Sequence, residues 1–182
     1  MSTHEFSSNQ LSIDAISKVF LEVSKTTLET ATREEISYSS IIQKIPKISM
    51  KPDLACFVVF NGDYNGLMVI NFTANAAVDM YQKYMMTMGM PEDELDSNYN
   101  SIEISDSIGE ITNQLMGQVI KEIEDRYGLN AVFGQPKALS LNSAITLQID
   151  SDYDENRRLS LKIGNYDFRI EISMEPSEFI QI

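Results

Sequence analysis

ISDSIGEITNQLMGQVIKEI, residues 104–123, decides how this chain is read. At about 100° per residue, Ile104, Ile108, Ile111 and Leu115 gather on one side of a helix and form an apolar seam. Asp106, Glu110, Asn113 and Gly117 fall within roughly 60° of one another on the opposite side. One face is therefore built to pack. The other presents a carboxylate, a carboxamide one turn on, and bare backbone beside them. Asn and Gly are weak helix formers, Gly costing about 1 kcal/mol against Ala, so a face meant only for solvent would be better served by Glu, Lys or Ala. The stripe reads as a surface that docks a partner and offers it two polar groups at fixed separation. The rival reading is a polar face that is merely solvated, since a Glu-x-x-Asn pair alone is expected about once by chance in a chain of this composition. Asp106 one turn before the Glu and Gly117 one turn after the Asn raise the pattern above that level.

Composition narrows the function classes. With 182 residues and 43% hydrophobic content, the chain has enough material for one well-buried core. Its net charge of -13, from 14 Lys+Arg against 27 Asp+Glu, disfavours nucleic acid or anionic lipid as a partner, because both carry like charge. Cys56 is the only cysteine and lies in the apolar run LACFVVF, which suits a small buried hydrophobe better than a nucleophile. His4 is the only histidine, which argues against a Ser-His-Asp triad or a histidine-rich metal site. No apolar stretch approaches the 18 or more residues of a membrane span, and MSTHEFSSNQ has no signal-peptide pattern. The expectation is a cytoplasmic protein with no membrane association.

Outward from the deciding stretch, the rest of the chain reads as one domain over residues 11–182, preceded by a flexible start over residues 1–10. A first helix is expected at about 11–31, with Ser12 as N-cap and Ile16, Val19, Phe20 and Val23 on its apolar face. Residues 41–50, interrupted by Pro46 and followed by Pro52, suggest an edge strand or irregular connection. Two Val- and Phe-rich runs, 54–60 and 67–72, flank the turn signal NGDYNG and predict a hairpin. Thr73 caps a second helix to about Met88, with Ala77, Met80, Tyr81, Tyr84, Met85 and Met88 as its apolar face. MPEDELDSNYNS is an acidic loop without the glycine-bearing pattern of a calcium site. The third helix covers about 102–127 and stops at Gly128. Strands are expected at 131–133, 144–150, 159–163 and 166–173, the last two joined by a tight turn at Gly164–Asn165, with 151–158 as a polar loop. The fold class is α+β: a mostly antiparallel sheet with two long helices packed on it and the N-terminal helix against them.

The pattern D-x-x-x-E-x-x-N-x-x-x-G at Asp106, Glu110, Asn113 and Gly117 resembles the signature of the CheC/CheX/FliY phosphatases of bacterial chemotaxis. G-x-x-V-I-N-F, residues 66–72 as GLMVINF, and the Leu95–Asp96 pair before the motif helix extend the likeness over roughly residues 10–135. One copy of the motif is present, so the chain is similar to the single-motif CheX members. The resemblance implies hydrolysis of the aspartyl phosphate of a CheY-type response regulator. It implies that Asn113 positions a water and Glu110 pairs with the regulator's lysine, as the catalytic pair, with Asp106 and Gly117 meeting the partner. It also implies a homodimer, no metal or cofactor held by this chain, and Mg²⁺ supplied by the regulator. The alternative is a non-catalytic CheX-like binding or regulatory module in a two-component or flagellar-switch assembly.

Overall fold

A computed structural model describes residues 12–147 and 155–176 of the chain. Helix α1 (Ile13–Thr32) begins where Ser12 accepts a hydrogen bond from the Ala15 amide, and it ends at Arg33 in the left-handed region. Its buried stripe includes Ile16, Val19, Phe20 and Leu28. Strands β1 (Ile36–Tyr38), β2 (Gln43–Lys44), β3 (Ser49–Met50), β4 (Leu54–Gly62) and β5 (Gly66–Phe72) follow, then α2 (Ala74–Thr87) and a single 3₁₀ turn at Glu92–Glu94. Helix α3 (Ile102–Tyr127) precedes β6 (Ala131–Phe133), β7 (Lys137–Ser140), β8 (Ile145–Thr146), β9 (Glu155–Ile163) and β10 (Tyr166–Met174). The α+β class and the antiparallel sheet are as expected.

The main sheet runs β1-β9-β10-β5-β4-β6, with β2 also pairing β9 and β7 also pairing β4. The hairpin is in the register Leu54↔Phe72 to Phe60↔Gly66. Gly66 is obligatory there, since a Cβ would collide with the Ser173 carbonyl and the Phe60 ring. The hairpin tip is pinned by a reciprocal pair: the Asp63 amide donates to the Asn130 carbonyl at 2.8 Å, and the Asn130 amide donates to Asp63 Oδ2 at 2.7 Å.

The helices cover one face of the sheet and enclose the main core, in which Phe20, Phe60, Met68, Ile108, Leu115 and Ile170 all take part. The other face carries a second, smaller core of Ile48, Met50, Ala55, Leu67 and Val69, beneath the two-stranded β3–β8 ribbon. Asn71 splices this layer to the sheet. Its Oδ1 accepts from the Lys51 amide at 2.7 Å and its Nδ2 donates to the Ser49 carbonyl at 2.9 Å. All seven residues of β5 are buried, which is why GLMVINF reads as a continuous apolar run rather than an alternating one.

Several expectations are corrected. The long helices are α1 and α3, with 20 and 26 residues; α2 has 14. Strands β1 and β7 went unread because they are short and mostly exposed, so neither carries an apolar alternation. Residues 155–158, expected in a polar loop, open β9. Their polar groups find partners: Arg157 Nε meets Asp14 at 2.7 Å, and Asn156 Nδ2 donates to the Pro46 carbonyl at 3.2 Å. The strand expected at 144–150 is Ile145–Thr146 within the described residues, and 148–150 lie outside them. The flexible start assigned to residues 1–10 also lies outside them. Met88 leaves the apolar face of α2 and is 67% exposed.

The sheet contains one offset that bears on the site. Phe133 opposes Phe60 and Lys137 opposes Phe57, so four steps on one strand match three on the other. The extra residue forms a bulge between β6 and β7, which turns the chain out of the sheet plane. The Gly134 amide still bonds the Val59 carbonyl at 2.9 Å. Pro136, which has no N–H to leave unpaired, is buried in the bulge.

Candidate functional site

Helix α3 is fixed at both ends and along its back. Ser101 accepts from the Ile104 amide at 3.2 Å, and Gly128, at φ 67°, closes the C-terminus through the Glu124 carbonyl. Arg126 holds Glu122 on its own helix at 2.6 Å and Glu22 on α1 at 2.9 Å. Ile104, Ile108, Ile111 and Leu115 are buried as the seam requires. Asp106, Glu110 and Asn113 are exposed on the opposite side.

Those three residues form one wall of a cleft of about 480 Å³. Gly109 lies between them, and the opposing wall is the bulge and the start of β7, Gln135 to Ala138. Lys137 is the only cationic residue in this lining. Gly117 is not part of the cleft. It lines a separate groove of about 640 Å³ between α1 and α3, beside Thr26, Thr30 and Gln114. The stripe is thus a crest between two depressions, with the carboxylates and the carboxamide on one flank and the glycine opening to the other. Hydrogen bonds turn the Thr26 and Thr30 hydroxyls back onto carbonyls of their own helix.

A Cβ added at Gly109 or at Gly117 meets no atom within 4 Å. Neither glycine is required by packing within the chain, although each costs the helix about 1 kcal/mol against Ala. Gln114, one turn after Glu110, donates to Glu110 Oε1 at 3.4 Å and to the Tyr84 hydroxyl at 3.2 Å. Gly109, Gln114 and the Gln135–Lys137 wall were missed in the sequence. Gly134 and Pro136 are a turn-prone pair that could have pointed to a bend, but nothing in their spacing places it beside α3.

Beneath the crest, Cys56 is fully buried, and burial pushes its thiol up to about 11 while the Thr112 hydroxyl partly opposes the shift. It sits there as a thiol, not a thiolate nucleophile. Among the described residues no three His, Cys, Asp or Glu side chains gather in a way that could hold a metal ion, and no helix is long and apolar enough to cross a membrane.

The fold is that of the CheX- and CheC-like chemotaxis proteins. CheX from Desulfovibrio desulfuricans matches with a TM-score of 0.73 at 18% identity, over 88% of this chain and 99% of that one. CheX from Vibrio vulnificus matches with the same TM-score, identity and coverage. The CheX–CheY–BeF₃–Mg²⁺ complex from Borrelia burgdorferi matches with a TM-score of 0.65 at 12% identity, over 88% of this chain and 97% of that one. At these identities what is shared is the fold. No curated protein matches the chain in sequence. One family model, described as "Protein of unknown function (DUF3334)", matches residues 8–182, and with nearly its whole length inside that match the chain belongs to this family.

Proposed function

We propose that this protein hydrolyses the aspartyl phosphate of a CheY-type response regulator. The observation that carries the reading is the crest of α3. Glu110 and Asn113 stand one turn apart, both exposed in one cleft, on a helix whose other face is locked into the core. The CheX fold supports the reading, and one CheX of that fold forms a complex with CheY.

An aspartyl phosphate is already an activated mixed anhydride, so the element it lacks is an ordered water. The Asn113 carboxamide both donates and accepts hydrogen bonds and would hold a water in line with the phosphorus–oxygen bond to the aspartate. Water oxygen attacks phosphorus, that bond breaks, and the aspartate leaves as a carboxylate. The water's proton is released with inorganic phosphate. Glu110 would pair with the lysine beside the regulator's phosphoryl group and fix the docked register. Asp106 would meet the partner's rim, and the bare backbone at Gly117 would allow close approach.

Mg²⁺ belongs to the regulator in this reading. Asp106 and Glu110 are two carboxylates on an open helix face, and no third ligand joins them among the described residues. Two carboxylates alone hold Mg²⁺ weakly. The site of action is the cytoplasm, where response regulators work.

The deciding experiment is phosphate release from a phosphorylated CheY-type regulator with Mg²⁺, with and without the purified protein. Acceleration that stops on chelation, from a preparation carrying no stoichiometric metal, is the expected result. Binding without acceleration would instead establish the non-catalytic module.

A further inference from the structure

Glu110 is not left to find its own rotamer. Gln114 lies one helical turn beyond it, and the Gln114 side-chain nitrogen reaches two acceptors: the Tyr84 hydroxyl at 3.2 Å and Glu110 Oε1 at 3.4 Å. An amide nitrogen carries two N–H donors, one for each. Tyr84 comes from α2, is only 8% exposed, and belongs to the main core. Its hydroxyl is therefore a fixed point at the edge of an exposed surface. The three groups form a strut from the core through Gln114 to the carboxylate.

The residue type matters. A lysine or arginine at this spacing would also hold Glu110, but as an ion pair that cancels the charge a docking partner must read. A glutamine orients the carboxylate and leaves its charge intact, with the second oxygen still able to accept. Freezing a long side chain in advance removes part of the ordering cost that binding otherwise carries.

We propose that Gln114 is a positioning residue for Glu110, with Tyr84 as its anchor, and that together they present the carboxylate to the partner in one orientation. This rests on the phosphatase reading above, in which Glu110 docks the regulator. The strut acts on docking and not on the water held by Asn113, so it should move affinity and spare turnover.

The test is a titration of the protein with a CheY-type regulator activated by beryllofluoride and Mg²⁺, alongside steady-state phosphate release. Gln114→Met keeps the length and helix preference of the side chain and removes both bonds. It should raise Kd and KM about threefold to tenfold, the range of one modest hydrogen bond, and leave kcat within about twofold. Tyr84→Phe should shift affinity in the same direction, and the double variant should be no worse than the poorer single one. In a Glu110→Ala background, which removes the acceptor, Gln114→Met should have no further effect, which a merely structural role would not produce. An unchanged Kd for Gln114→Met, or an equal loss in both backgrounds, overturns the proposal. If Glu110→Gln and Asn113→Ala are themselves silent in binding and turnover, the phosphatase reading falls and takes this inference with it. If they are not silent and Gln114→Met is, the strut alone is wrong.

Discussion

Thr112 and Asn113 are adjacent in the chain, about 100° apart around α3, and divide between the core and the cleft. Thr112 is 1% exposed, and its hydroxyl bonds the Ile108 carbonyl at 2.7 Å. Asn113 is exposed and lines the cleft. The first prediction follows from that division. Asn113→Ala should leave thermal stability unchanged, as exposed substitutions typically stay within about 0.5 kcal/mol. It should lower stimulated dephosphorylation by about 10²-fold or more while regulator binding survives. Wild-type hydrolysis by this variant would remove Asn113 from the reaction.

Glu110→Gln keeps the shape of the side chain and removes its charge. Affinity for the phosphorylated regulator should fall, and the defect should grow as salt is lowered, because screening hides a lost ion pair at high ionic strength. Affinities measured from low to high salt decide the matter. A flat difference across the series would mean that Glu110 does not act through charge.

Glu171 gives the fold a pH dependence of predictable sign. Its carboxyl is held above the ordinary 4.5 because burial outweighs the pull of Arg158 and Lys51. Glu171 is 1% exposed, meets Arg158 at 3.4 Å with one oxygen, and leaves the other without a hydrogen-bond partner. The folded state therefore takes up this proton at a higher pH than the unfolded chain. Between 4.5 and the raised value, stability falls as pH rises. Acidifying through the raised value toward 4.5 should raise this residue's contribution, and Glu171→Gln should flatten it. Urea midpoints of both proteins, followed from about pH 7 down to 4.5, provide the comparison, and parallel curves over the whole range would contradict the assignment.

A homodimer built by strand pairing needs a free sheet edge. The last two strands were expected to offer the edge for it, but β10 lies between β5 and β9, and β9 is paired by β10, β1 and β2. Among the described residues the outer strands are β1 and β2 on one side and β6 and β7 on the other, with Val132 68% and Leu139 45% exposed. An open edge with apolar side chains recruits a partner strand. Light scattering at about tens of micromolar, a range that reveals a stable interface, should give twice the chain mass. A monomer mass there would rule the dimer out.

What was legible in the sequence is what repeats or caps. The α3 seam, the Ser12, Thr73 and Gly128 boundaries and the β4–β5 hairpin each carry a local signal, and each lies where that signal puts it. The candidate site was half legible for a related reason. A helical wheel gives the angle of Asp106, Glu110 and Asn113 but not what packs on either side of them. It could not show that Gly117 opens toward α1 while the other three face β7. β7 itself has no apolar alternation, and its position depends on the bulge before it, a long-range feature with no period.

That bulge separates two properties that folds usually keep together. Removing one residue from 134–136 would leave every cross-strand pair on both sides intact, because the extra residue has no counterpart on β4. Lys137 and Ala138 would stay beside Phe57 and Cys56, but the Gln135–Pro136 part of the wall facing Glu110 and Asn113 would be one residue shorter. Chain length at this one place thus sets the shape of the cleft wall separately from the pairing of the sheet. A shortened molecule could remain well folded, still dock through its crest, and be silent.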